Sequence, residues 1–187
     1  MSEVVFRELP KIPRWSRRII ITEKIDGTNG LIYVGEDGTV KAGSKSQWLT
    51  PEKGKDNHGF ARWVSEHEVE LKELGPGYHH GEWWGNGINR GYGLKEGDKR
   101  FSLINSTKWK DVKPKCCEVI PILYDGIMDD IYSPILKAID SLKLNGSIAA
   151  PGYMSPEGIV IFHVQGNLFF KKTLQNDEVP KSLAGKE

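Results

Sequence analysis

The run Glu23-Lys24-Ile25-Asp26-Gly27-Thr28-Asn29-Gly30 places a lysine at the end of an apolar, β-branched stretch and follows it at once with turn-forming residues. A lysine amine kept neutral in a concave, partly desolvated site is a nucleophile able to form a covalent intermediate. An exposed hairpin turn would use the same residues, so Lys-x-Asp-Gly alone leaves both readings open. Further along, Ser44 and Lys45 end another strand-like segment, and Gly81-Glu82-Trp83-Trp84-Gly85 sets an acid near a strand end. Arg100-Phe101-Ser102-Leu103-Ile104-Asn105 carries an aromatic near its start, Glu157 opens the apolar run Gly158 to Phe162, and Phe169-Phe170 leads into Lys171-Lys172-Thr173. Taken singly, Glu82 and Glu157 could be strand-end charges and Phe101 could be core. Neighbours on a strand face opposite ways, so only one of Lys171 and Lys172 can face a cleft beside Lys24, and at least one of Trp83 and Trp84 belongs to the core.

Other chemistry fails on spacing. His67-Glu68-Val69-Glu70-Leu71 begins like a zinc-protease helix but has leucine where the second histidine must stand. Gly85-Asn86-Gly87-Ile88-Asn89-Arg90 ends on arginine where a dinucleotide fingerprint needs glycine, and no Gly-x-x-x-x-Gly-Lys-Ser/Thr loop occurs. His79 and His80 are adjacent and read as structural or surface histidines rather than ligands. Cys116 and Cys117 are adjacent as well, which suits neither an ordinary disulfide nor a zinc pair.

The elements that must position these residues follow from the pattern. The 187 residues, with 38% hydrophobic and 27% charged side chains, predict a single globular domain over 1–187 with 175–187 as a polar tail. The 26 basic and 25 acidic residues nearly cancel, so any basic footprint is local. Strands are expected over 18–24, 30–35, 39–43, 78–84, 99–105, 117–123, 157–163 and 167–174. Helices are expected from His58 to Leu74, stopped by Gly75-Pro76-Gly77, and from Ser133 to Asn145. Strands outnumber helices without regular alternation, which predicts an α+β fold on antiparallel sheet. No apolar run approaches the roughly 18 residues of a spanning helix and no leader is apparent, so the expected setting is cytoplasmic, with no membrane partner.

In this order the motifs resemble those of the covalent nucleotidyltransferases, the superfamily of ATP-dependent DNA and RNA ligases and mRNA capping enzymes. The asparagine at position 29, where DNA ligases usually carry arginine, resembles the phage-type RNA ligases. The resemblance runs from about Lys24 to Thr173 and implies an ATP-grasp-like nucleotidyltransferase domain of antiparallel sheets with flanking helices. It further implies that Lys24 attacks the α-phosphate of ATP, that Glu157 binds Mg²⁺ (or Mn²⁺), and that Lys171, or alternatively Lys172, neutralises phosphate charge. Glu82 would accept from the ribose, Phe101 would stack on adenine, and Asn29 would help at sealing. Glu23, Asp26 and Gly27, flanking the lysine, and Ser44 or Lys45, where the family usually has arginine, complete the expected nucleotide contacts. The implied activity is an ATP-dependent RNA ligase joining 5′-phosphate and 3′-hydroxyl ends. Its rivals are a DNA nick ligase, a capping-type guanylyltransferase and a noncatalytic nucleotide- or RNA-binding module. Ile104 and Asn105 depart from the aromatic-aspartate pair frequent on the stacking strand. With 14 residues after Thr173, no further nucleic-acid-binding domain is expected, so grip would come from Arg14, Arg17, Arg18, Arg90, Lys95 and Lys99, or from a partner protein.

Overall fold

The computed structural model describes residues 4–128 and 133–178. Its first strand, β1 (Arg18–Lys24), alternates buried Ile19, Ile21 and Glu23 with part-exposed Ile20, Thr22 and Lys24, the period of two expected of β-branched residues on a sheet with one covered face. The chain then crosses at Ile25 into β2 (Thr28–Val34), β3 (Val40–Gly43), β4 (Gly77–Gly85), β5 (Lys99–Leu103) and the short β6 (Glu118–Val119), and returns in β7 (Ile122–Ile127), β8 (Gly158–His163) and β9 (Leu168–Thr173). Two sheets result: four strands in the order β7-β1-β8-β9 and five in the order β3-β2-β4-β5-β6. Every pairing is antiparallel except β5 with β6. The architecture is α+β, as the strand-rich pattern predicts.

Two expected elements are divided. The strand expected over 117–123 is two strands in different sheets. Ile120 donates its N–H to Leu103 of the five-stranded sheet, and the Pro121 carbonyl accepts from Glu23 of the other. Proline, lacking an N–H, is a natural place for the chain to leave one ladder and join the next. The helix expected from His58 to Leu74 is α1 (Phe60–Glu66), α2 (Glu68–Leu71) and a 3₁₀ turn (Lys72–Leu74). It starts late because Asn57, His58 and Gly59 have φ of 46°, 58° and 89°. It breaks at His67, at φ −110°, whose Nδ1 donates to the Trp63 carbonyl at 2.8 Å. A one-turn helix, α3 (Ser106–Trp109), interrupts the polar loop, capped by the Asn105 side chain accepting from Lys108 N–H. The last helix, α4 (Ser133–Asn145), has the expected bounds.

Three apolar clusters hold these parts together. One packs α1 and α2 on the five-stranded sheet through Phe60, Val64, Leu71, Trp83 and Phe101. Another packs Ala138, Ile139 and Leu142 of α4 on Ile19, Ile21, Ile159 and Ile161. The third joins the sheets where the chain passes between them, with Ile25 and Ile120 against Trp84, Tyr92 and Ala150. Trp83 and Trp84 thus fill different clusters, both buried. Among the described residues no helix is long and apolar enough to cross a membrane. Residues 179–187 of the expected polar tail lie outside the described residues.

Candidate functional site

Lys24 is the last residue of β1, and its face is set by register. Across β1, β8 and β9 the aligned sets are Lys24, Gly158 and Thr173; Glu23, Ile159 and Lys172; and Thr22, Val160 and Lys171. Lys24 therefore points away from α4, on the same face as Lys171, while Glu23 and Lys172 share the α4 face. Lys24 Nζ lies 2.6 Å from Glu157 Oε2, with the lysine side chain 22% and the glutamate 3% exposed. Gly158 follows Glu157 because a Cβ there would collide with the Lys172 carbonyl and Thr173 Cα of the next strand.

Glu82 reaches the same place from the five-stranded sheet. Its Oε1 accepts the Gly27 N–H at 3.0 Å. Burial pushes its carboxyl up to about 7, against the lowering effects of the Gly27 hydrogen bond and the Lys24 charge; the Glu157 and Asp26 carboxylates add to the rise. Gly27 has no room for a side chain, which would run into the Trp83 carbonyl and Trp84 Cβ. Asn29 pairs directly with Glu82 across β2 and β4, so the two side chains share a face. Asn57, in its left-handed conformation, donates through Nδ2 to the Asn29 carbonyl at 3.5 Å and accepts from Thr28 Oγ1 at 3.3 Å.

Several expected contacts fall elsewhere. Glu23 is fully buried on the α4 face, where its carboxylate accepts from Ser147 Oγ (2.6 Å), Ile148 N–H (2.9 Å) and Ala149 N–H (3.0 Å). It anchors the loop after α4 and has no side-chain oxygen turned to a nucleotide beside Lys24. The Asp26 carboxylate accepts from Asn89 Nδ2 at 3.0 Å and Arg90 Nε at 3.2 Å, and its N–H donates to Tyr92 at 2.8 Å, so it ties down the loop after β4. Phe101 cannot be a base platform: it has no exposed surface and lies in register with Trp83, on the opposite sheet face from Glu82, 5.2 Å from Phe60. Ser44 donates within its own turn to Gln47, and Lys45 is exposed. Lys172 is turned away from Lys24 and pairs with Asp177 at 3.1 Å.

The expected basic grip is also redistributed. Arg18 is spent on a two-point pair with Asp125, Arg90 on Asp26 and the Ser155 carbonyl, and Lys99 on the His58 carbonyl. Arg14 and Arg17 lie together near the β8–β9 turn, and Lys95 is exposed. The binding roles of Asn57, Asn89 and Ser147 in this framework had no signal in the sequence, since they depend on long-range contact between loops. As to metal, no three or more His, Cys, Asp or Glu side chains among the described residues converge to hold an ion by themselves. A single carboxylate such as Glu157 suits Mg²⁺ or Mn²⁺ that brings waters and substrate phosphates as its other ligands.

Comparison with known proteins bears on the family and the fold. A family model described as RNA ligase matches residues 17–173. No curated protein matches the chain. Among solved structures, a Naegleria gruberi RNA ligase variant with ATP and Mn superposes with a TM-score of 0.60 at 18% identity, over 86% of this chain and 51% of that one. A second variant with ATP and Mn gives 0.58 at 17%, over 83% and 48%. The ligase with pyrophosphate gives 0.58 at 18%, over 84% and 50%. The chain thus spans about half the length of these structures, and the likeness is one of fold.

Proposed function

The chain belongs to the RNA ligase family, and from that premise we propose that it is an ATP-dependent RNA ligase. It adenylates its own Lys24, transfers AMP to a 5′-phosphate end and seals that end to a 3′-hydroxyl. The observation that carries this reading is the 2.6 Å Lys24–Glu157 pair where β1 meets β8, with Glu82 approaching from the other sheet.

In the first step the Lys24 amine, having given up its ammonium proton to water, bonds to the α-phosphorus of ATP as the bond from phosphorus to the pyrophosphate oxygen breaks, and the further proton on the bonded nitrogen also passes to water. Pyrophosphate leaves with that electron pair. The negative charge spread over the phosphoryl oxygens needs fixed positive charge nearby, and Lys171 is an exposed cation on Lys24's face, two strands over and two residues along, about 12 Å away between backbones. Glu157 would hold a divalent cation, which when bound would neutralise charge on the triphosphate. Glu157 is therefore both the metal's carboxylate and the partner that Lys24 must leave. Glu82 in its ionised form accepts from a ribose hydroxyl, and Asn29, on the same face, is placed to act at the sealing step. AMP then passes from Lys24 to the 5′-phosphate, and the 3′-hydroxyl oxygen displaces it to form the phosphodiester. Naegleria gruberi RNA ligase has been solved with ATP and Mn and with pyrophosphate, the substrate and product of this first step.

The test is incubation of the protein and a divalent cation with α-phosphate-labelled ATP or GTP, followed by denaturation. Label is expected from ATP, absent in Lys24→Ala and in Lys24→Arg, and transferable to 5′-phosphorylated RNA. Label from GTP alone would move the assignment to capping chemistry, transfer only to nicked DNA would make it a DNA ligase, and no label on folded protein would leave a binding module.

A further inference from the structure

The two sheets meet around Trp84, and the other end of β4 carries a separate group of rings. Tyr33 of β2 pairs directly with Tyr78 of β4 on one side and with Lys41 of β3 on the other, and Leu31 pairs with His80 and Gly43. Residues 29, 31 and 33 are two apart, as are 78, 80 and 82, so this group stands on the sheet face that carries Asn29 and Glu82. The opposite face is the one filled by Ile32, Val34 and Ala42 against Phe60, Val64 and Leu71 of α1 and α2.

A third ring is brought onto the uncovered face by a turn. Ser44 N–H donates to the Gln47 carbonyl at 2.8 Å and Leu49 N–H to the Ala42 carbonyl at 2.9 Å, which returns the chain beside β3 with Trp48 opposite Gly43. A Cβ on Gly43 would lie 3.2 Å from Leu31 Cδ2 and 3.4 Å from Trp48 Cε3, so the indole rests against the glycine on the Leu31 side of the sheet. Between ring centroids Tyr33 is 4.9 Å from Tyr78 and 6.1 Å from Trp48, and Lys41 Nζ is 5.9 Å from the Trp48 ring. Trp48 is 51% and Tyr78 64% exposed.

A cross-strand aromatic pair strengthens a sheet on its own account. Trp48, however, is not a strand partner of either tyrosine, and it leaves half its surface in water. Large side chains grouped in this way mark a contact surface. On an uncovered sheet face, exposed rings stack unpaired bases while a neighbouring cation meets phosphate. Aromatic surfaces also take proline-rich peptides, but those have no use for the cation. Position favours the polynucleotide as well. Tyr33 is four residues along β2 from Asn29, about 13 Å at ~3.3 Å per residue, with only the Leu31 and His80 pair between Tyr33–Tyr78 and Asn29–Glu82 on that face.

We propose that Trp48, Tyr33 and Tyr78 form a platform on which unpaired bases of an RNA substrate stack, with Lys41 meeting its phosphate backbone. The choice of RNA rests on the ligase reading; the stacking of bases does not. The test uses the full chain and two 5′-phosphorylated single-stranded RNA probes of about ten nucleotides, within the span that one such surface covers. One probe is intact and the other has abasic residues in its interior, so that the two differ in bases but not in phosphates. The wild type should bind the intact probe at least about tenfold more tightly. Trp48→Ala should weaken the intact probe about tenfold and Tyr78→Ala about fivefold, while Trp48→Phe keeps most of the affinity. Both alanine variants should leave the abasic probe at wild-type affinity and the salt dependence unchanged, whereas Lys41→Gln should lower the slope of log affinity against log salt by about 0.7 for both probes. Melting temperature and labelling by ATP should match wild type in the alanine variants, which shows that they fold. Equal wild-type affinity for the two probes, or equal losses on both in Trp48→Ala, overturns the proposal. So does unchanged affinity for the intact RNA in a variant that loses a proline-rich peptide bound by the wild type, which would make the surface a protein contact. The stated losses in a protein whose wild type never labels from ATP would keep the platform and overturn the ligase reading instead.

Discussion

On the face of the four-stranded sheet that meets α4, Ile19, Ile21, Ile159 and Ile161 are buried, and the one acid among them, Glu23, has three donors on its carboxylate. On the opposite face Thr22 and Val160 are part exposed, Lys171 is exposed, and Lys24 meets another charge, Glu157, at 2.6 Å. Both faces bury a carboxylate, but only the first spends it on the fold. A nearly buried ion pair contributes little net stability, because desolvating the two charges offsets their attraction. The Lys24–Glu157 pair is therefore poorly explained as a brace, which favours the proposed reading of two reactive groups held in register, one to exchange its partner for a phosphate and the other for a cation.

The difference between the faces is sharpest in the variants that separate chemistry from folding. Lys24→Arg keeps a cation beside Glu157 and removes the proposed nucleophile. We expect complete loss of the ATP-derived adduct with a melting temperature close to wild type; a residual adduct would move the nucleophile elsewhere. The next largest effect compares adjacent lysines. Lys171→Ala should slow adduct formation by about 100-fold, the scale of one lost donor to a developing anion. Lys172→Ala, on the α4 face and engaged with Asp177, should leave it within about twofold. Equal rates in single-turnover labelling would mean that strand register does not decide which cation serves the site.

Much of this was legible in the residues. The strand pattern, the two sheets' antiparallel character and α4 follow from periodicity, and the family follows from the order of Lys24, Glu82, Glu157 and the Lys171 pair. The alternation in β1 already separates Glu23 from Lys24, since Ile19, Ile21 and Glu23 are two apart. What periodicity does not carry is pairing across the chain. Phe101 reads as core or platform until β5 is set beside β4 and its ring is seen to share Trp83's face. Arg18, Arg90 and Lys99 read as free basic residues until Asp125, Asp26 and the His58 carbonyl are found against them. The break at Pro121 and the left-handed run Asn57-His58-Gly59 likewise depend on where the next sheet or strand lies.

The covered face makes a prediction of its own. Glu23→Ala leaves Ser147 and the N–H groups of Ile148 and Ala149 without their acceptor in a buried place, at about 1–3 kcal/mol for each group not resatisfied. We expect a net loss of about 3 kcal/mol in urea unfolding, with ATP labelling of the remaining folded fraction retained. If labelling disappears from fully folded protein, Glu23 serves the nucleotide directly and the contrast between the faces is wrong.

The smallest effect is at Glu82, where fold and function pull in opposite directions. Burial raises its carboxyl from 4.5 in the unfolded chain to about 7. Between these values the folded protein keeps a proton that the unfolded chain has released. The associated stability is fully present below about 4.5 and is lost as pH rises towards about 7. From about pH 5 to pH 7.5 the wild type should lose about 2 kcal/mol of unfolding free energy through this residue, and Glu82→Gln should lose less by that amount. Adduct formation should change the other way, rising through about 7 as the carboxylate proposed to accept from ribose appears. Glu23 is also raised by burial, but it is present in both proteins and cancels from the comparison. Parallel pH dependence in wild type and Glu82→Gln, measured by urea midpoints, would place the proton elsewhere. A difference of the stated sign would show that the cleft accepts at Glu82 a charge at working pH that burial resists.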